Sequence, residues 1–389
     1  MIKDSHWLIL GICLLGLSWN LQAQEKIEIK EIDGITHIIN PANPFKGTIK
    51  LEVEPTLTIN PYDRPEIGLK TIRFSRDDTG NLILFSGNQV EAHRFSAKGN
   101  YLGPLGKPGQ GPGEFIQAFK AYFFGKHIYA FSPTKVAQFD LDGKYLCERR
   151  LENYPILVID EGHYLAGNQT QQGNDLTSIL RLVSFDILKP GNEKSVDLLK
   201  GVNIGYIKMP GSQIRFAGDK WGTANFFYAG DLNKKRIYVG LNTAYRINVK
   251  DFMGRTLFII EKPHDNVRIS KKDVEFIFRS QFEKYGFSAK DGNFKWIQDV
   301  YPDHLAAIKD VFPLPNGFIA VYRIVKPMVY EIDIFNQDGR YLYALIPPPG
   351  IRMDNIQFHV MGFSVIETQD DLYVYREYRI KNVPEVFGR

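Results

Sequence analysis

The stretches Phe95–Gly103 (FSAKGNYLG) and Phe139–Leu146 (FDLDGKYL) share one design. An apolar strand end runs into a short polar turn with glycine, then a basic or amide residue, then Tyr and Leu. Val249–Leu257 (VKDFMGRTL) and Ile334–Tyr343 (IFNQDGRYLY) repeat it, and Ser184–Leu199 (SFDILKPGNEKSVDLL) holds a decayed copy with a longer turn. A tight reversal needs a residue at positive φ, and Gly99, Gly143, Gly191, Gly254 and Gly339 take that conformation without a Cβ clash. These are outer hairpins of a repeated antiparallel unit.

Gly99 and Gly143 stand about 44 residues apart, the length of one four-stranded propeller blade. Upstream of each hairpin lies an apolar or alternating segment (NLILFSG, HIYAFSP, HYLAGNQ, RIYVGLN, GFIAVYR), which reads as an inner strand of its blade. That makes five blades. Two strands are expected in FHVMGFSVIETQDDLYVYREYRI near the C-terminus, and IEIKEI and GTIKLEVEPTLTI near the N-terminus have no blade of their own. Joining the two ends completes a sixth blade and removes the exposed sheet edges. The fold class is therefore all-β, a six-bladed β-propeller closed by its terminal strands. A pair of β-sandwiches would not produce a period of about 40 residues.

One segment departs from this pattern. SKKDVEFIFRSQFEKYG reads as a helix inside an insertion at about 264–300, with Ser270 and Asp273 as a capping box and Gly286 as the stop. At 100° per residue Val274, Ile277, Phe278, Phe282 and Tyr285 share the apolar face. Phe276 falls on the charged face with Arg279, and these two residues are the candidate partner contact.

Lys3 followed by the apolar run Trp7–Trp19 is too short for a membrane span and fits a signal peptide, with cleavage expected after Ala23. Residues 24–389 then form a single domain, exported to the periplasm or cell surface, with no stable membrane span after cleavage. Cys13 belongs to the removed segment, so Cys147 remains alone and no intramolecular disulfide can form. The charges are well mixed with a net of +4 and no basic motif, which speaks against a nucleic-acid partner.

Asn100–Phe115 (NYLGPLGKPGQGPGEF) resembles the inter-blade segment of NHL-repeat six-bladed propellers. Asp77–Ser86 (DDTGNLILFS) is similar to the strand that follows in that family, and VAQFDLDGKYL to its outer hairpin. The opening IDGITHIINP resembles the start of exported bacterial propellers of this group. The full motif covers about one and a half blades, from Thr71 to Leu151. The resemblance implies the fold and not an activity, since such propellers range from scaffolds to lyases and other enzymes.

The local chemistry is sparse. GKPGQGPGEF lacks the Gly-Lys-Ser/Thr ending and the helix of a phosphate loop, and reads as a turn in which Glu114 accepts backbone hydrogen bonds. DLDG (Asp140–Gly143) lacks the later glutamate and the helices of a calcium loop. The seven histidines after Ala23 never approach a metal-ligand spacing, and no G-x-S-x-G elbow occurs. No catalytic, metal or cofactor residue is assigned, and no cofactor is expected. A binding module for a protein, small molecule or glycan is the expectation, with an exported metal-assisted hydrolase or lyase as the alternative. An enzyme would gather carboxylates, Asn or His from three or more blades at one channel mouth. A binding module would line a wide mouth with aromatics and arginine.

Overall fold

A computed structural model describes residues 26–63, 67, 72–86, 89–172, 175–189, 191–202, 206–208, 215–217, 224–265, 267–282, 301, 303–327, 329–351, 356–360, 362–369 and 372–387. The expected leader, residues 1–23, lies outside them.

Six antiparallel four-stranded blades form the ring. From the centre outwards, blade 1 runs Arg73–Arg76, Leu82–Phe85, Ala92–Phe95, Tyr101–Pro104. Blade 2 runs Lys120–Phe124, His127–Phe131, Lys135–Asp140, Tyr145–Arg150, and blade 3 Pro155–Asp160, His163–Gln172, Asp175–Ser184, Lys194–Val202. Blade 4 is Phe226–Asp231, Arg236–Leu241, Arg246–Asp251, Thr256–Glu261, and blade 5 Ile308–Pro313, Ile319–Lys326, Val329–Phe335, Tyr341–Ile346. Blade 6 takes Gln357–His359, Gly362–Gln369 and Leu372–Ile380 from the end of the chain and Val53–Ile59 from near its start.

The core is divided among the six interfaces between neighbouring blades. On the second strand of blade 1, Ile83 and Phe85 pack toward blade 2, while Leu82 and Leu84 pack toward blade 6. All four are buried, because a strand between two blades has no solvent face. NLILFSG, HIYAFSP and their counterparts, read as inner strands, are the second strands of their blades. The innermost strands are no longer than the second ones, and that of blade 1, Arg73–Arg76 (RFSR), is half polar, because one edge faces the channel and not another strand. The same reason makes the C-terminal stretch three strands where two were expected, the extra one being Gln357–His359.

The outer hairpins stand where the repeat places them. Gly99, Gly143, Gly191, Gly254 and Gly339 have φ of 78°, 80°, 76°, 79° and 82°. At Gly143 space matters as well, since an added Cβ would stand 2.7 Å from the Arg94 Nε. That guanidinium donates to Leu102 O in blade 1 and to Leu141 O in the blade 2 turn, linking the two blades.

Strands from both ends of the chain close the ring as expected, but fewer N-terminal strands take part. Only Val53–Ile59 enters blade 6. The preceding Thr48–Lys50 adds in parallel to the edge of blade 5, Ile35–Ile39 adds in parallel to the edge of blade 4, and Glu28–Ile32 pairs beyond it. The N-terminal arm thus runs along the rims of three successive blades. Asn40, 2 % exposed, fixes its path: its amide donates to Gly339 O at 2.9 Å and its Oδ1 accepts from Tyr341 N at 2.8 Å. Satisfying these groups inside the protein leaves no unpaired backbone at the crossing.

The expected helix occupies Lys271–Phe282. Ser270 N donates to Asp273 Oδ2 at 2.8 Å and Asp273 N to Ser270 Oγ at 3.2 Å, a reciprocal cap. Val274 and Ile277 pack with Leu305, Ala306 and Ile324 against blade 5. The side chains of Phe278 and Phe282, and all of Tyr285 and Gly286, lie outside the described residues.

Candidate functional site

The innermost strands of all six blades line a central channel of about 520 Å³. Its wall is aromatic over much of its length, with Tyr122, Phe123, Phe124, Phe226, Tyr228, Phe312 and Phe358 among the lining residues. The charged lining residues are Arg73 and Arg76 from blade 1, Lys120 from blade 2 and Asp310 from blade 5. Asp310 is the one carboxylate among the lining residues described.

The two blade 1 arginines differ in their use. Arg76 Nε donates to Glu377 Oε1 at 2.9 Å, and the same oxygen accepts from Tyr375 OH at 2.6 Å. Its charge therefore ties blade 1 to blade 6. Arg73 is exposed at the channel and makes no hydrogen bond or ion pair with any described residue. Lys120, at the start of the next innermost strand, donates one hydrogen bond to Ile156 O at 2.8 Å. Burial, with the neighbouring Arg73 charge adding to it, lowers its ammonium to about 8. Tyr122 is shifted upward by burial, although Arg73 pulls it the other way.

Arg73 and Lys120 also line a second cavity of about 170 Å³ beside the channel, closed by Ser86, Ser132, Tyr154 and Pro155. Ser86 and Ser132 are used within their own turns, with Gln89 and Lys135. Tyr154 is half exposed.

The residues that looked chemical in the sequence fall elsewhere. Phe276 is 52 % exposed on the helix, and Arg279 beside it is paired with Glu275 at 2.8 Å. Neither is among the channel's lining residues. Glu114 accepts from Gly111 N at 2.9 Å and pairs with Lys107, as a turn residue. Asp140 accepts from Lys144 N at 2.8 Å within its hairpin, and the Cys147 thiol donates to Gln138 Oε1 at 3.2 Å. His37, His93 and His163 each bind a carboxylate nearby, Glu261, Glu91 and Asp160. Among the described residues no three His, Cys, Asp or Glu side chains gather as a metal site. Sequence reading missed Arg73, Lys120 and Asp310. The available signal was a charged residue in each short segment ahead of a second strand, at Arg73, Lys120 and Asp310.

Comparison with known proteins gives the same fold. The family DUF5128, described as a 6-bladed β-propeller, matches residues 63–175. No curated protein matches the chain. Among solved structures, a Bacteroides vulgatus member of the DUF4221 family is similar at 10 % identity and a TM-score of 0.46, over 86 % of this chain and 99 % of that one. A Bacteroides fragilis protein inferred to be exported is similar at 13 % identity and 0.44, over 89 % and 100 %. Regucalcin from Agrobacterium tumefaciens, a calcium-binding protein, is similar at 11 % identity and 0.39, over 88 % and 96 %. No helix among the described residues is long and apolar enough to cross a membrane. Residues 63–175 thus match the model of a six-bladed β-propeller family, and the whole ring has that architecture.

Proposed function

We propose that this is an exported binding module whose ligand is a small molecule seated in the central channel. The signal-peptide pattern of residues 1–23 supports export. The observation that carries the binding role is the lining. Aromatic side chains from blades 2, 4, 5 and 6 surround about 520 Å³, a volume suited to a small ligand, and offer flat apolar faces. Asp310 alone supplies a lining carboxylate, so the paired acid and base groups of a hydrolase are not brought together by the described residues. The favoured ligand class carries a ring that stacks on these faces, a sugar or an aromatic.

A neutral fluorogenic aryl glycoside, 4-methylumbelliferyl glucoside, tests this with two readouts. Saturable binding by titration calorimetry, weakened in Phe226→Ala and without release of the fluorophore, is the expected result. Release of the fluorophore by wild type, lost in Phe226→Ala, would make the channel an active site. No saturable binding would remove the channel as a site for such rings.

A further inference from the structure

We infer that Arg73 and Lys120 form a subsite for a carboxylate carried by the channel ligand, a deepening that rests on the channel being the binding site. Two cations stand side by side here, one from each of two neighbouring blades, where the channel meets the 170 Å³ side cavity. Holding like charges together costs stability unless an anion lies between them, and no described side chain supplies one. Among the described residues Arg73 has no ion-pair partner, and Lys120 has only the carbonyl of Ile156. Burial and Arg73 both lower the Lys120 ammonium, and no described carboxylate opposes them. Asp310 lines the channel from blade 5, opposite blade 2 in the ring.

The open valences also match an anion. The guanidinium of Arg73 offers its five N–H donors and Lys120 has two protons left after Ile156 O, none of which can accept. Tyr154 OH, on the same side cavity, is engaged by no described residue. A carboxylate oxygen pair fits the planar fork of arginine, and its second oxygen can take the ammonium or the phenol. Arg76, by contrast, already has its carboxylate in Glu377. The ring of the ligand then lies in the aromatic channel with its acid turned toward blades 1 and 2. A uronic acid or an aryl acid has this chemistry.

The test compares 4-methylumbelliferyl glucuronide with the matching glucoside, which differ by a carboxylate in place of a hydroxymethyl. At about pH 7 and low salt, the glucuronide should bind wild type more than about tenfold more tightly, the scale of one charge-assisted hydrogen bond. Arg73→Gln should bring the ratio near one, and Lys120→Gln should reduce the ratio. Arg73→Lys should keep part of it. Arg73 is exposed, so its variants should melt no lower than wild type, which keeps the comparison clean. Inorganic phosphate and acetate serve as competitors. Displacement by acetate supports the carboxylate, and displacement by phosphate alone overturns it in favour of a phosphoryl group. Equal binding of both glycosides, or a preference that survives Arg73→Gln, overturns the subsite while leaving the channel reading intact. Failure of both probes to bind wild type removes the channel site and this subsite together.

Discussion

Replacing Asp333 by asparagine should be among the most damaging single changes in the ring. Asp333 is fully buried between blades 4 and 5 and accepts from Tyr245 OH at 2.6 Å, Tyr341 OH at 2.7 Å and Lys262 Nζ at 2.7 Å. Lys262 is itself 3 % exposed and sits over the rings of Tyr341 and Tyr245 at 4.1 and 4.8 Å. Asparagine keeps the shape but removes the carboxylate that Lys262 Nζ binds, and that Arg323 Nε approaches at 3.4 Å, a loss of about 3–5 kcal/mol when one partner of a buried pair is removed. A second bound agrees. Lys262 can escape by giving up its proton, which costs at most about 4.6 kcal/mol at pH 7 for an ordinary lysine. Burial already lowers this ammonium, so the escape costs less than that. At pH 9 the same bound falls to about 2 kcal/mol, so the penalty should shrink as pH rises. Urea unfolding followed by circular dichroism at both pH values measures it. Lys262→Met in the Asp333→Asn background should recover most of the loss, because an apolar replacement of a buried pair is often close to neutral. A penalty under about 1 kcal/mol, or one that neither falls with pH nor is recovered by Lys262→Met, would refute the argument that Asp333 neutralises a buried cation.

Ile59→Ala, in the strand that closes blade 6, should cost about 2–5 kcal/mol in the same assay; a melt like wild type would show that this strand does not hold the ring. Lys120 titrates near 8 in the folded chain against about 10.4 when unfolded. The unfolded chain therefore holds the extra proton between these values, so wild type should gain stability over that pH window relative to Lys120→Met, and a flat difference would remove the shift. On the helix, Ile277→Ala should cost about 2–5 kcal/mol and Phe276→Ala less than about 0.5 kcal/mol by calorimetry; equal losses would mean both faces are buried.

What the sequence reveals of this fold follows from how local each feature is. A hairpin glycine at positive φ is a requirement of the few residues around it, so Gly99, Gly143, Gly254 and Gly339 mark their turns openly. The helix cap at Ser270 and Asp273 is equally local. The innermost strands carry no such mark. Arg73–Arg76 has one partner strand and an open edge, so neither alternation nor a long apolar run is imposed on it. The placement of Ile35–Ile39 is set by Asn40 reaching Gly339 and Tyr341, about 300 positions away, and no pattern within the arm encodes that. The candidate site suffers most from this. Arg73, Lys120 and Asp310 come from three separate blades and meet only on the lining of the channel.

The course of the N-terminal arm sets an order of events for folding. Val53–Ile59 is synthesised before every strand of the blade it completes, and Glu54 must wait for Arg379, 325 positions later. Blades 1 to 5 can each form from consecutive residues, but the circle cannot be sealed until the last strands have appeared. The arm's first strand, EIKEI, sets three charged residues around two isoleucines and is exposed at every position, a composition that resists pairing with other chains. Val53–Ile59, made before any of the blades, is thus the clasp fastened last.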